Sequence, residues 1–204
     1  MPRIPYTTEE ELPERVASLL GSYGEMGAEY TPHVSSPTRE YSDERSDDPS
    51  PLYRVMAHNP PILEAFRRMA SVLRAECGLD ERRREILILA TASAAGAEYE
   101  WHQHVRIARE VGVGIEEIRS IADGRSDAFD DDEAALVDYG TALVTGDVTD
   151  PHHDALAEQF DERQIVGIGM VAQFYAGLAT FIDAFELDVD EPFVGWDLER
   201  LDAA

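Results

Sequence analysis

Lysine is absent from this chain. All 17 Lys+Arg positions are arginine, against 42 Asp+Glu, for a formal net charge of -25. An acidic surface without lysine is the composition of a protein that works in concentrated salt. There the Debye length falls to about 3 Å at 1 M and like charges stop repelling. In dilute buffer the same charge works against the compact state. The alternative origin is an acidic protein of an ordinary cytosol. Shortage of positive charge also argues against nucleic acid and anionic membranes as partners, since both are bound by basic patches.

Cysteine is almost as scarce. Cys77 stands alone, which excludes an intramolecular disulfide and any CxxC redox pair. The N-terminus has no basic-then-apolar pattern of a signal peptide, so a soluble cytoplasmic protein is expected. No run shows the strict alternation of a half-buried strand. What remains is a chain 44% hydrophobic, enough for a core, with almost all its apolar residues at helical spacing. The expected class is all-α.

Two regions are expected, an N-terminal arm and polar loop over 1–50 and a helical domain over 51–204. In the arm, Glu9 to Leu20 reads as a short helix capped by Thr8, and residues 31–51 read as a surface loop. Pro60-Pro61 then opens a helix with a Leu63, Phe66, Met69, Leu73 stripe, ended by Gly78. Asp80 caps the next, which Gly96 breaks. Further helices are expected over Ala97–Val111, Ile115–Ile121, Asp131–Val144 and Asp154–Phe160, with a last one starting at Asp161. The stretch Ile165 to Phe185 is apolar nearly all round, which predicts a buried core or interface helix and not a membrane span. Its Gly167, Gly169, Ala172, Ala176, Gly177 and Ala179 permit close helix approach, and a subunit interface would bury it.

Residues 96–105, GAEYEWHQHV, crowd two glutamates, a tyrosine, a tryptophan and two histidines together. On a helix, Glu100 and His104 lie about 40° apart on one face. Ala97 and Ala108 continue that face, with Trp101 and Val105 flanking it on the apolar side. His102 and Gln103 point elsewhere, His102 toward solvent. Glu100 beside His104 is a candidate acid/base pair, because a carboxylate orients an imidazole and raises its pKa. The plainer alternative is an i, i+4 surface pair contributing about 0.3–0.5 kcal/mol, the commoner meaning of such spacing. Metal fits poorly: the HExxH order is absent and i, i+2 histidines diverge on a helix. His152-His153 offers no better geometry.

The run LYRVMAHNPPILEAF, followed by LDERRREILILATASAAGAEYEWHQHVRIAREVGVGIEEI, resembles the carboxymuconolactone decarboxylase family, which includes the alkyl hydroperoxidase D-like proteins. The likeness covers roughly residues 50–188, and the opening RIPYTTEEELPE matches loosely. It implies an alkyl hydroperoxidase D-like all-helical bundle assembled as a trimer or hexamer. In the family's peroxidase branch a glutamate, a Cys-x-x-Cys pair and a histidine act together. Matching that histidine to His104 puts the glutamate at Glu85 and the cysteines at Ala97 and Glu100. Both thiols are therefore missing, and peroxide reduction needs a thiolate and a resolving thiol. Cys77, on an earlier helix and without a partner, reads as a small core residue.

What the resemblance leaves is cofactor-free proton transfer, as in the family's lactone decarboxylases. Loss of CO2 from a carboxylated unsaturated lactone requires stabilisation of a dienolate and delivery of a proton to carbon. His104 is the expected donor, with Glu85 and Glu100 orienting it or shuttling the proton. Tyr99, Trp101, Gln173 and Tyr175 are candidate substrate contacts, although tryptophan is ordinarily a core residue and Gln173 with Tyr175 can satisfy a helix–helix contact. An anionic substrate would want an arginine, and nothing singles one out among Arg82, Arg83, Arg84, Arg106 and Arg109. The expected partner is a small-molecule substrate. Two other readings stay open: a peroxiredoxin-like antioxidant, disfavoured by the missing CxxC, and a non-catalytic oligomeric binding protein.

Overall fold

The computed structural model describes residues 2–8, 10, 12–17, 19–20, 50–187 and 193–199. Among them every regular element is a helix, which gives the expected all-α class. The chain forms two compact units. One comprises Met1–Glu76 with Phe185–Asp190, the other Cys77–Ala184 with Glu191–Ala204.

The first unit contains α1 (Glu14–Ala17), α2 (Pro51–Met56) and α3 (Pro60–Glu76). Proline at the first positions of α2 and α3 forfeits no hydrogen bond there, because first-turn N–H groups have no intrahelical acceptor. The helix expected over Glu9–Leu20 is a single turn in the described residues. It begins after Pro13, whose carbonyl accepts from Val16 and Ala17. Most of the polar loop expected over 31–51 lies outside the described residues. On α3, Leu63 and Leu73 are buried as expected, whereas Phe66 and Met69 are only half-buried. Arg67 takes a buried position instead, its guanidinium 4.2 Å from the Tyr53 ring centroid, a cation–π contact.

The second unit is built around α4 (Glu81–Ala95), which packs on α7 (Asp131–Thr145), α5 (Glu98–Glu110) and α6 (Ile115–Ala122). The Asp80 carboxylate caps α4 by accepting from the Arg83 N–H at 2.9 Å. Gly96 ends it in the left-handed region at φ 63, which glycine adopts without a Cβ penalty. Between these signals every residue from Arg84 to Ala92 is buried. One core joins Ile86 and Leu89 of α4, Trp101 and Val105 of α5, Ile118 and Ile121 of α6, and Val194 and Leu198 beyond the last helix.

Two edges differ from the sequence expectation. Helix α8 (Asp150–Gln159) starts one turn earlier than Asp154, because Thr149 supplies a cap and Pro151 fits the first turn. Helix α9 (Glu162–Phe185) begins as expected, with the Asp161 carboxylate accepting from the Gln164 N–H at 2.8 Å. It is not a buried core helix, however. It is long and apolar enough to cross a membrane by length and composition, yet only 33% of its most apolar window is buried, and Val166 is 66% exposed. At Gly167 it passes so close to the Cys77 carbonyl that a Cβ would fall 1.9 Å from that oxygen.

Candidate acid–base site

Glu85 and His104 meet inside the second unit. Glu85 lies one turn into α4, within the stretch Arg84–Ala92 that is buried throughout, and is 1% exposed. His104, halfway along α5, is 8% exposed. The imidazole Nδ1 lies 2.6 Å from Glu85 Oε2. A carboxylate only accepts, so Nδ1 carries the proton and donates, and the lone pair of neutral His104 is left on Nε2. Arg84, also buried, places Nη2 3.4 Å from the other Glu85 oxygen. The Glu85 carboxylate, the most buried of the three, thus lies between the Arg84 cation and the His104 imidazole. The Tyr175 ring of α9 stands edge-on to the His104 ring, centroids 5.0 Å apart and planes at 88°. This arrangement holds the imidazole in one tautomer and one orientation, as general acid/base work requires.

Glu100 lies one turn before His104, on the same α5 face, and is 2% exposed. The surface-pair reading of Glu100 and His104 therefore fails: both are buried, and His104 takes its carboxylate from Glu85 across α4. Neither Glu100 oxygen has a hydrogen-bond partner. Burial pushes its carboxyl up from 4.5 to about 8, against a smaller opposing pull from its own backbone N–H. A carboxyl desolvated with no more than its own backbone N–H to offset the burial favours the neutral form.

The remaining candidates separate. Trp101 is fully buried, its indole N–H donating to the Gly195 carbonyl at 3.2 Å and its ring 5.1 Å from that of Trp196, so its surroundings are those of a core residue. Tyr99 is buried. Gln173 is exposed. His102, expected near solvent, is 1% exposed, and its Nδ1 accepts from the Val194 N–H at 3.2 Å. The cause is the segment 193–199, which folds back over α5 and covers the face that helical periodicity alone would give to water. The aromatic pair Phe193 and Trp196 beyond the last helix is the sequence signal for that strap.

The arginines also separate. Arg82 is clamped by Glu133 and Glu117 at 2.8 and 2.7 Å and donates to the Gly112 carbonyl, tying α4 to α6 and α7. The hydrogen bond to Glu133 leads in holding its pKa above the ordinary arginine value. Arg83 pairs with Asp132 and Asp80, and Arg109 donates to the Val113 carbonyl. Of Arg82, Arg83, Arg84 and Arg109, it is Arg84 that contacts Glu85. Among the described residues no cluster of three His, Cys, Asp or Glu side chains is placed to hold a metal ion. Cys77 is buried, with its sulfur 4.0 Å from the Leu79 carbonyl.

Comparison with known proteins agrees with this architecture. Residues 60–141 match the model of the carboxymuconolactone decarboxylase family. The alkylhydroperoxidase AhpD core of an uncharacterized peroxidase-related protein from Ralstonia eutropha superposes with a TM-score of 0.71 at 18% identity, covering 97% of each chain. A cysteine-to-alanine variant of the debrominase Bmp8, in complex with 2,3,4-tribromopyrrole, gives 0.63 at 19% identity over 75% of this chain and 81% of its own. An uncharacterized peroxidase-related protein from Silicibacter gives 0.61 at 18% identity, over 71% and 78%. No curated protein matches the chain. At these identities the structures establish the AhpD-like fold.

Proposed function

We propose that the chain is a member of the carboxymuconolactone decarboxylase family that performs acid/base chemistry, by decarboxylation or proton transfer, on a small organic acid or lactone. The observation that carries this reading is the buried hydrogen bond from His104 Nδ1 to Glu85 at 2.6 Å, which leaves Nε2 as the atom that takes up and delivers a proton. In a decarboxylation the substrate C–C bond breaks and CO2 leaves. The electron pair enters a dienolate, and imidazolium Nε2–H delivers a proton to carbon. Glu85 stabilises the imidazolium before that step, and the proton is regained from solvent. Glu100, one turn away, completes the polar side of the site.

Thiol chemistry has little to rest on. Alanine and glutamate occupy positions 97 and 100, where the peroxidase branch carries cysteines, and Cys77 is buried with no second thiol in the chain. Self-association as a trimer or hexamer is part of the same proposal, supported by the exposed apolar residues Val166 and Met170 on α9. Operation in concentrated salt is supported by the net charge of -25 and the absence of lysine.

The test is CO2 release from carboxymuconolactone by wild type, His104→Ala and Glu85→Gln. Both variants are expected to lose about 10²–10⁴-fold in kcat. Full turnover in His104→Ala would sink the reading. Peroxide consumption with a thiol reductant, abolished by Cys77→Ser, would favour the antioxidant alternative instead.

A further inference from the structure

We infer that Glu100 acts as a neutral carboxylic acid that donates its O–H to a carbonyl-type oxygen of the bound ligand. This rests on the acid–base reading above and assigns the third polar residue a role opposite to that of a base. Glu100 is 2% exposed and neither of its oxygens has a partner. Glu85 and His104 spend Oε2 and Nδ1 on each other and leave both Glu100 oxygens without a hydrogen-bond partner. A buried carboxylate with no donor is the costliest state of this side chain, and a buried neutral acid with no acceptor is the next. A ligand oxygen relieves the second state and not the first. The upward shift to about 8 agrees with that geometry.

The location adds a second argument. Glu100 lies in the first turn of α5, whose N-cap is Ala97, a residue with no side-chain cap. The positive end of the helix dipole favours charge that develops on an oxygen held there. A neutral Glu100 adds no second negative charge to that end of the helix, whose first turn already carries the exposed Glu98. As an enolate forms, negative charge grows on the ligand oxygen that accepts from Glu100, while His104 Nε2 exchanges a proton with ligand carbon. The two groups thus divide the work: Glu100 holds the oxygen and His104 moves the proton.

Infrared difference spectroscopy of wild type minus Glu100→Gln at neutral pH tests this, with the unsaturated lactone butenolide as probe. A carbonyl band of a protonated, unbonded carboxylic acid is expected in wild type, moving to lower frequency as butenolide is added. Butenolide binding should weaken about tenfold or more in Glu100→Leu, which removes the donor. It should stay within about threefold of wild type in Glu100→Gln, whose amide N–H still donates. A wild-type protein with no such band, or a band unmoved up to the solubility limit of butenolide, would overturn the inference without reference to any variant. A moving band together with a fully active His104→Ala leaves the role of Glu100 intact and discards the acid–base reaction. An inactive His104→Ala with an unmoved band does the reverse.

Discussion

At the scale of single residues, the site pairs a glutamate that is bonded with one that is not. The sign of the pH effect of Glu100 follows from its raised pKa. Below 4.5 the carboxyl is protonated in folded and unfolded chains alike. Between 4.5 and about 8 the folded state keeps the proton that the unfolded state releases, so stability falls as pH rises through this window. At 1.36 kcal/mol per unit the fall amounts to at most about 5 kcal/mol. Urea unfolding at several pH values should therefore show a slope in wild type that Glu100→Gln flattens. Equal slopes in the two proteins would place the Glu100 carboxyl in water. His104 and Glu100 were legible from i, i+4 spacing, and Glu85 from its place in the family-like motif. The pairing itself was not, because the partner comes from another helix. Nothing in the sequence singles out Arg84 from Arg82 and Arg83, and its burial on α4 is what separates it.

At the scale of elements, close approach is decided by glycine. An alanine Cβ at Gly167 would collide with the Cys77 carbonyl, with 1.9 Å between them, whereas at Gly177 the nearest atom is Gln173 Nε2 at 3.6 Å. Overpacking that forces backbone movement costs about 1–3 kcal/mol, while Gly→Ala in an open helical position gains about 0.5–1 kcal/mol. Gly167→Ala should accordingly lower Tm and Gly177→Ala raise it slightly in parallel thermal melts. Loss of stability at both would mean that α9 packs differently. Helix starts and stops were readable where one residue makes the signal, as at Asp80, Gly96 and Asp161. They were missed where the signal is shared: Thr149, Pro151 and His152 together start α8, and the one-turn α1 follows from Pro13. The strap over α5 was invisible to periodicity, which assigns the His102 face to solvent because it counts only the helix itself.

At the scale of the whole molecule, charge and the apolar face of α9 govern behaviour. A chain of net charge -25 is strained by self-repulsion in dilute buffer and relieved by screening. Tm should therefore climb with KCl concentration, and a flat profile would contradict the high-salt reading. Val166 and Met170 lie one turn apart on α9, both exposed. Val166→Glu with Met170→Glu should shift light-scattering mass toward that of a single chain if α9 is an assembly face, and an unchanged mass would remove it from that role. These properties also set the conditions for testing the site, which belongs in molar KCl. There, proton exchange between butenolide and D2O, followed by NMR, reports directly on transfer to and from carbon by His104 Nε2. Exchange should be accelerated by wild type and reduced about 10²–10⁴-fold in both His104→Ala and Glu85→Gln. A wild-type rate in either variant would contradict that assignment.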